Sequence, residues 1–273
     1  GRKTSKQPAY GRKQSIFVFF LARKTGSLER GTFLGEMADS AVHKDMYSFV
    51  RGYEFVGVDS FRKAQPREHA YAAITAFHLY GWYRDNHFCG RCGKPLKHDD
   101  KQRMLRCDCC KNMVFPKICP AVIVAVTDKD RILLTKYAGR TYRNYALIAG
   151  FTEIGETTEE TVEREVMEET GLHVRNIRYY KSQPWGIAND ILAGFYCEVD
   201  GDPTIQMDTS ELKYAQWVKR ENIILQPDDA SLTNEMMQKF RDGEIRNINH
   251  VNTFWAIPHK DCAADASSNF SSD

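Results

Sequence analysis

Glu165, Glu168 and Glu169 fall at i, i+3 and i+4, so a helix through them would gather three carboxylates into one arc of its surface. Like charges that close repel one another and the negative end of the helix dipole, each at a cost of roughly several tenths of a kcal/mol. A positive partner is needed. Hard, oxygen-seeking Mg²⁺ or Mn²⁺ is the natural one, because such ions bind through a few carboxylates together with the phosphates of a substrate. A solvated acidic face is the plainer reading of the helix alone, and the neighbouring residues argue against it. Thr157 followed by Glu160 is a capping-box start, and Gly171 stands where a left-handed residue ends a helix. Gly150 and Gly155 bracket a turn out of the apolar run 146–149, and Glu156 lies just ahead of the helix, within reach of Arg164.

A second constellation is made of sulfur. Cys89 and Cys92 form one CxxC knuckle and Cys107 and Cys110 another, with Gly90 and Gly93 easing the first turn. This spacing suits a tetrahedral Cys₄ zinc site. Two chance pairs or a redox pair are the bland alternative, and Cys109 competes with Cys110 for the fourth position. Cys119, Cys197 and Cys262 are scattered; they read as plain thiols, and the whole usage as that of a reducing cytoplasm.

Written out, the acidic stretch is Gly150, five residues, Glu156, seven residues, then Arg164-Glu165-Val166-Met167-Glu168-Glu169-Thr170-Gly171-Leu172. It resembles the Nudix hydrolase box at every fixed position, a far more specific signal than a lone glycine motif. The resemblance implies an α/β/α sandwich that hydrolyses a nucleoside diphosphate linked to another moiety. It also implies Glu165, Glu168 and Glu169 as metal ligands and Arg164 paired to Glu156.

A Cys₄ ribbon directly before the box domain, with Ser182-Gln183-Pro184-Trp185 after it, resembles the NADH pyrophosphatase branch of that family. The branch cleaves NADH or NAD⁺ to NMN(H) and AMP, some members remove the NAD cap from RNA, and it is usually homodimeric. By the same resemblance Phe151 stacks on a base, Gln183 and Trp185 face the substrate, Glu211 is a further metal ligand and Phe115 comes from the partner subunit. A core aromatic is the bland reading of Trp185. The branch's Pro-Phe-Pro-x-Ser continuation is replaced by Gly186-Ile187-Ala188-Asn189-Asp190. Losing two prolines and gaining a glycine predicts a more mobile, less preorganised loop. Asp190 then stands beside a phosphate-bearing substrate, where its charge weakens binding unless a cation offsets it. Two other readings remain open: a Nudix enzyme for ADP-ribose or a diadenosine polyphosphate, and a non-catalytic nucleotide-sensing regulator, against which the complete set of box carboxylates argues.

The elements that must position these residues read as follows. At 273 residues the chain can bury a sizeable core and hold one large domain with one or two small ones. With 38 basic and 36 acidic residues it has no global field that draws it to nucleic acid or membrane. Residues 1–14 read as a basic disordered arm, 15–86 as a small α/β domain, 87–118 as the ribbon, 119–258 as the Nudix domain and 259–273 as a disordered tail. The run 16–22 follows the basic arm but is too short for a signal peptide or span and reads as a strand. Strands are predicted at 17–21, 53–58, 121–126, 132–136, 145–149, 174–182, 191–199 and 214–218, and helices at 67–83 and 233–240, besides the box helix. His69, His78 and His87 read as packing or surface residues.

Overall fold

The computed structural model describes residues 18–19, 33–34, 58–64, 66–139, 144–227 and 229–247. The arm at 1–14, the tail at 259–273 and the strand expected at 53–58, apart from Val58, lie outside them. Of the first expected strand only β1 (Val18–Phe19) is described, paired antiparallel with β2 (Phe33–Leu34). Val58–Lys63 is a 3₁₀ turn. It leads into α1 (Arg67–Asp85), which buries Ala70, Ala73 and Ala76 on one stripe and Trp82 near its end. Small residues at that spacing let a helix approach its neighbour closely.

The ribbon follows as three short antiparallel strands, β3 (Leu96–His98), β4 (Leu105–Cys107) and β5 (Met113–Val114). Its two knuckles repeat one hydrogen-bond pattern. The Cys89 N–H donates to the Lys94 carbonyl and its own carbonyl accepts from Gly93, while Cys107 does the same with Asn112 and Lys111. The residue at the fourth step is left-handed in both, Gly93 at φ 68° and Lys111 at φ 59°. Gly93, rather than Gly90, therefore carries the conformational need in the first knuckle.

The large sheet holds β6 (Cys119–Asp128), β7 (Arg131–Tyr137), β8 (Ile148–Phe151), β9 (His173–Trp185), β10 (Asp190–Asp200) and β11 (Leu212–Lys219). Strand order is β11-β7-β6-β10-β9, with β8 also on β6. β6 and β10 run parallel and the other pairs antiparallel, so the sheet is mixed. β6 explains the architecture. Val122, Val124 and Val126 enter one apolar core and Ile123 and Ala125 the other. A strand covered on both faces reads as an unbroken apolar run, as 121–126 does. α2 (Thr158–Thr170) covers the first face through Val162 and Val166. α3 (Leu232–Arg241) covers the second through Leu232, Met236, Met237 and Phe240. The result is the expected α/β/α sandwich.

One pairing positions the site. The far end of β6 pairs with β7 at Thr127 and Asp128, but its first half, Ala121–Val124, pairs with β8. Gly150 and Phe151 are thereby laid beside the start of β6, directly under α2. β8 begins three residues later than the strand expected at 145–149. Ala146 makes only an isolated bridge to Thr135, because β7 has already diverged toward β11.

Candidate active site

α2 is capped as its sequence predicts. The Thr157 side chain accepts from the Glu160 N–H, the Glu160 carboxylate accepts in return from Thr157, and Gly171 ends the helix at φ 68°. Arg164 organises the face turned toward β8. Its Nε donates to Glu156 Oε1 at 2.5 Å and one Nη to Glu156 Oε2 at 3.0 Å, a bidentate pair. The same Nη reaches the Phe151 carbonyl at 2.9 Å, and the other donates to Glu165 at 2.7 Å and Glu168 at 3.1 Å. Glu156 is tied further by the Glu153 N–H and the Thr161 hydroxyl. The Arg164 guanidinium, with those donors, holds the Glu156 carboxyl down at about 2.

Glu165, Glu168, Glu169, Asp208 and Glu211 line one cleft of about 350 Å³. Glu169 is only 2 % exposed. Burial pushes the Glu165 carboxyl above its ordinary range; Arg164 opposes this, and the charges of Glu168 and Glu211 add to it. Glu165 lies against the backbone of β8 at Gly150, where a Cβ would overlap its carboxylate. Of these five carboxylates Arg164 bonds two, Glu165 and Glu168, and every group lining the cleft offers hard oxygen, so the set fits a hard divalent cation. Asp208 was missed in the sequence, where nothing marked it out from other loop aspartates.

The remaining site residues separate. Ile148 packs toward α2 and Ala149 toward α3, so alternation places Gly150 on the glutamate side and the Phe151 ring, 52 % exposed, on the other. Gln183 is 2 % exposed, and its amide is consumed inside the protein: Nε2 donates to the Ala230 carbonyl and Oε1 accepts from the Leu232 N–H. It anchors the start of α3, which corrects its expected place facing the substrate. Trp185 is half-buried under the Arg62 guanidinium, 5.3 Å from its ring centroid.

Asp190 is paired in register between Trp185 and Cys119 and is 7 % exposed, and burial pushes its carboxyl up to about 6. It is thus a buried strand residue, where an open loop charge was expected. The altered loop is a tight turn between β9 and β10, closed by the Ala188 N–H on the Trp185 carbonyl. A Cβ on Gly186 would lie 3.0 Å from Ile74 Cγ2 and 3.1 Å from the Ile74 carbonyl. Glycine here permits close packing on α1, a restraint that the lost prolines had hidden from a local reading. Phe115, 54 % exposed, lies beyond the ribbon.

In the ribbon the Sγ atoms of Cys89, Cys92, Cys107 and Cys110 lie within 4.8 Å of one another, while Cys109 is exposed. Burial opposes ionisation of Cys89, but the N–H groups of Arg91 and Cys92 bring its thiol down to about 6. The N–H groups of Cys110 and Cys109 lower Cys107 in the same way. Against the pull of the Lys94 N–H, the neighbouring thiols push Cys92 up to about 12, so the protons are shared unequally, and four converging sulfurs fit a tetrahedral ion.

An acidic cleft at the edge of a helix, on a mixed sheet with helices on both faces, defines a class of α/β/α protein suited to a hard cation and a phosphate-bearing ligand. Residues 117–240 match the model of the NUDIX domain. A protein of Klebsiella pneumoniae (strain 342) named NAD-capped RNA hydrolase NudC is 36% identical over 161 residues, which is 59% of this chain and 62% of that one. Its namesake in Salmonella typhi is 34% identical over 160 residues, with the same coverage. The chain thus spans less than two thirds of the length of these curated relatives. The crystal structure of a NUDIX hydrolase from Nitrosomonas europaea is similar at 20% identity with a TM-score of 0.49, over 59% of this chain and 93% of that one.

Proposed function

We propose that the chain is a Nudix pyrophosphohydrolase that splits NADH or NAD⁺ into NMN(H) and AMP and removes the NAD cap from RNA. The observation that carries this reading is the cleft of five carboxylates, in which Arg164 holds Glu165 and Glu168 and Gly150 leaves room for the Glu165 carboxylate. The names of the relatives above support the NAD-linked substrate. Glu165, Glu168, Glu169 and Glu211 would hold Mg²⁺ or Mn²⁺, which when bound neutralises the pyrophosphate and acidifies an attacking water. Arg164 fixes Glu165 and Glu168 by direct hydrogen bonds, and its pair with Glu156 fixes Arg164 in turn. A carboxylate of this set accepts the proton of the water that attacks phosphorus.

Phe151 and Trp185, both on the α3 side of the sheet by register, are the candidates for contacts to the base, with Phe115 supplied across a homodimer. The four ribbon cysteines would hold zinc. Free thiols at all seven described cysteines support a reducing, cytoplasmic setting, and no described helix is long and apolar enough to cross a membrane.

The test is mass analysis of products from NADH, NAD⁺, NAD-capped RNA, ADP-ribose and a diadenosine polyphosphate, each with Mg²⁺ or Mn²⁺. AMP and NMN(H) from the first two, with uncapped RNA from the third, are expected. Cleavage of ADP-ribose or the diadenosine compound alone would move the chain to another Nudix substrate, and no cleavage at all would favour a binding role.

A further inference from the structure

We infer that Asp208 is a positioning residue for Glu211, acting through the geometry of its turn rather than as a charge in the cleft. The inference rests on the metal-dependent reading of that cleft. Asp208 lines the cleft with the four glutamates, so a fifth ligand is the obvious assignment, but its hydrogen bonds describe a different job. Asp208 Oδ1 accepts from the Ser210 N–H at 2.8 Å and the Ser210 hydroxyl at 2.7 Å, a side-chain-closed turn. The Asp208 carbonyl accepts from the N–H groups of Glu211 at 3.3 Å and Leu212 at 2.9 Å. Both groups of this one residue thus bend the chain through the step that presents Glu211.

The same residue fastens that turn to α2. The Asp208 N–H donates to the Glu169 carbonyl at 2.9 Å, and two residues earlier the Gln206 N–H donates to the Thr170 carbonyl at 2.8 Å. These are terminal carbonyls of α2, which a helix leaves without intrahelical partners. Leu212, just past Glu211, is fully buried in the α2-side core and starts the pairing with Tyr137. Glu211 is therefore held between a buried anchor on one side and Asp208 on the other, at a place referred to the Glu169 backbone. Glu169 and Glu211 come from different elements, and Asp208 is the residue that bonds to both.

Asparagine has the same acceptor in the same place but no charge, so it separates turn from charge. The experiment is Mn²⁺ binding to the intact chain without substrate, followed by electron paramagnetic resonance, for wild type, Asp208→Asn, Asp208→Ala, Glu211→Gln and the double variant Asp208→Ala with Glu211→Gln. Melting temperatures are measured alongside to confirm folding. Asp208→Ala should weaken Mn²⁺ by roughly 10-fold to 100-fold, the usual effect of removing a group that orients a ligand. Asp208→Asn should restore most of the affinity, and Asp208→Ala should add little in the Glu211→Gln background. Should Asp208→Asn fall as far as Asp208→Ala, or should the two losses simply add, Asp208 acts through its charge and the inference is overturned. Unchanged affinity in Asp208→Ala overturns it as well and leaves the metal reading standing, whereas a wild type that binds no Mn²⁺ removes both.

Discussion

At Gly150 one methyl group decides the site. A Cβ there would occupy the space of the Glu165 carboxylate, while the backbone of β8 needs no left-handed conformation at this position. Gly150→Ala should therefore leave the sheet intact and displace a carboxylate, and a misplacement near 1 Å costs about a hundredfold in turnover. Far-UV circular dichroism should match wild type while kcat falls; a normal kcat would mean that Glu165 is not needed where it lies. Glu168→Gln and Glu169→Gln test the set more directly, since an amide is a poor ligand for a hard cation; each should lose orders of magnitude in turnover in a folded protein.

Glu156 gives a prediction in pH. Its carboxyl is depressed from 4.5 to about 2, so the stability it contributes is fully present above 4.5 and is lost as pH falls toward 2. The gap in melting temperature between wild type and Glu156→Gln should narrow across that window; a constant gap would show that the Arg164 pair does not set it. The box residues were legible because their meaning lies in short spacing. Gln183 and Asp208 were not, because their partners, Leu232 and the Glu169 carbonyl, are distant in sequence.

Among the elements, those with strong periodicity were legible to within a few residues. α2 was legible at both ends, since a capping box and a left-handed glycine are local signals. The sharing of β6 between β7 and β8 was not, since pairing is decided by the whole sheet. Nor was the irregularity where Gly194 faces Lys181 and Phe195 faces Tyr179. This bulge turns the adjacent Tyr180 and Lys181 to one side, where both bond Glu235 of α3. Two substitutions test helix placement. Thr157→Ala removes the cap of α2 and should cost about 1 kcal/mol in urea unfolding. Gln183→Ala removes the acceptor of the buried Leu232 N–H, and should cost about 1–3 kcal/mol with little change in KM. A raised KM at unchanged stability would return Gln183 to the substrate.

At the scale of the molecule, described residues tie α1 to the segment after the ribbon and to the sheet. His78 Nε2–H donates to the Lys117 carbonyl at 2.7 Å, Gly186 packs on Ile74, and Arg67 pairs with Asp229 ahead of α3. The sheet has an apolar core on each face. The ribbon has strands of only three, three and two residues, too little to fold on apolar burial alone. If the four sulfurs hold an ion, as proposed above, that ion should supply the stability, because binding free energy at such a site is folding free energy. The chain should carry one zinc, since four thiolates close a tetrahedral site. Chelation should unfold the ribbon before the cleft loses its carboxylate geometry. Calorimetry should show an early transition that chelator removes and zinc restores, and a later one from the sheet that does not move. Protein purified without chelator that contains no zinc, or a Cys89→Ser variant with unchanged metal content and stability, would mean that the ribbon is held by something other than its metal. The small core around Met104 and Leu105 would then have to do far more than its size allows.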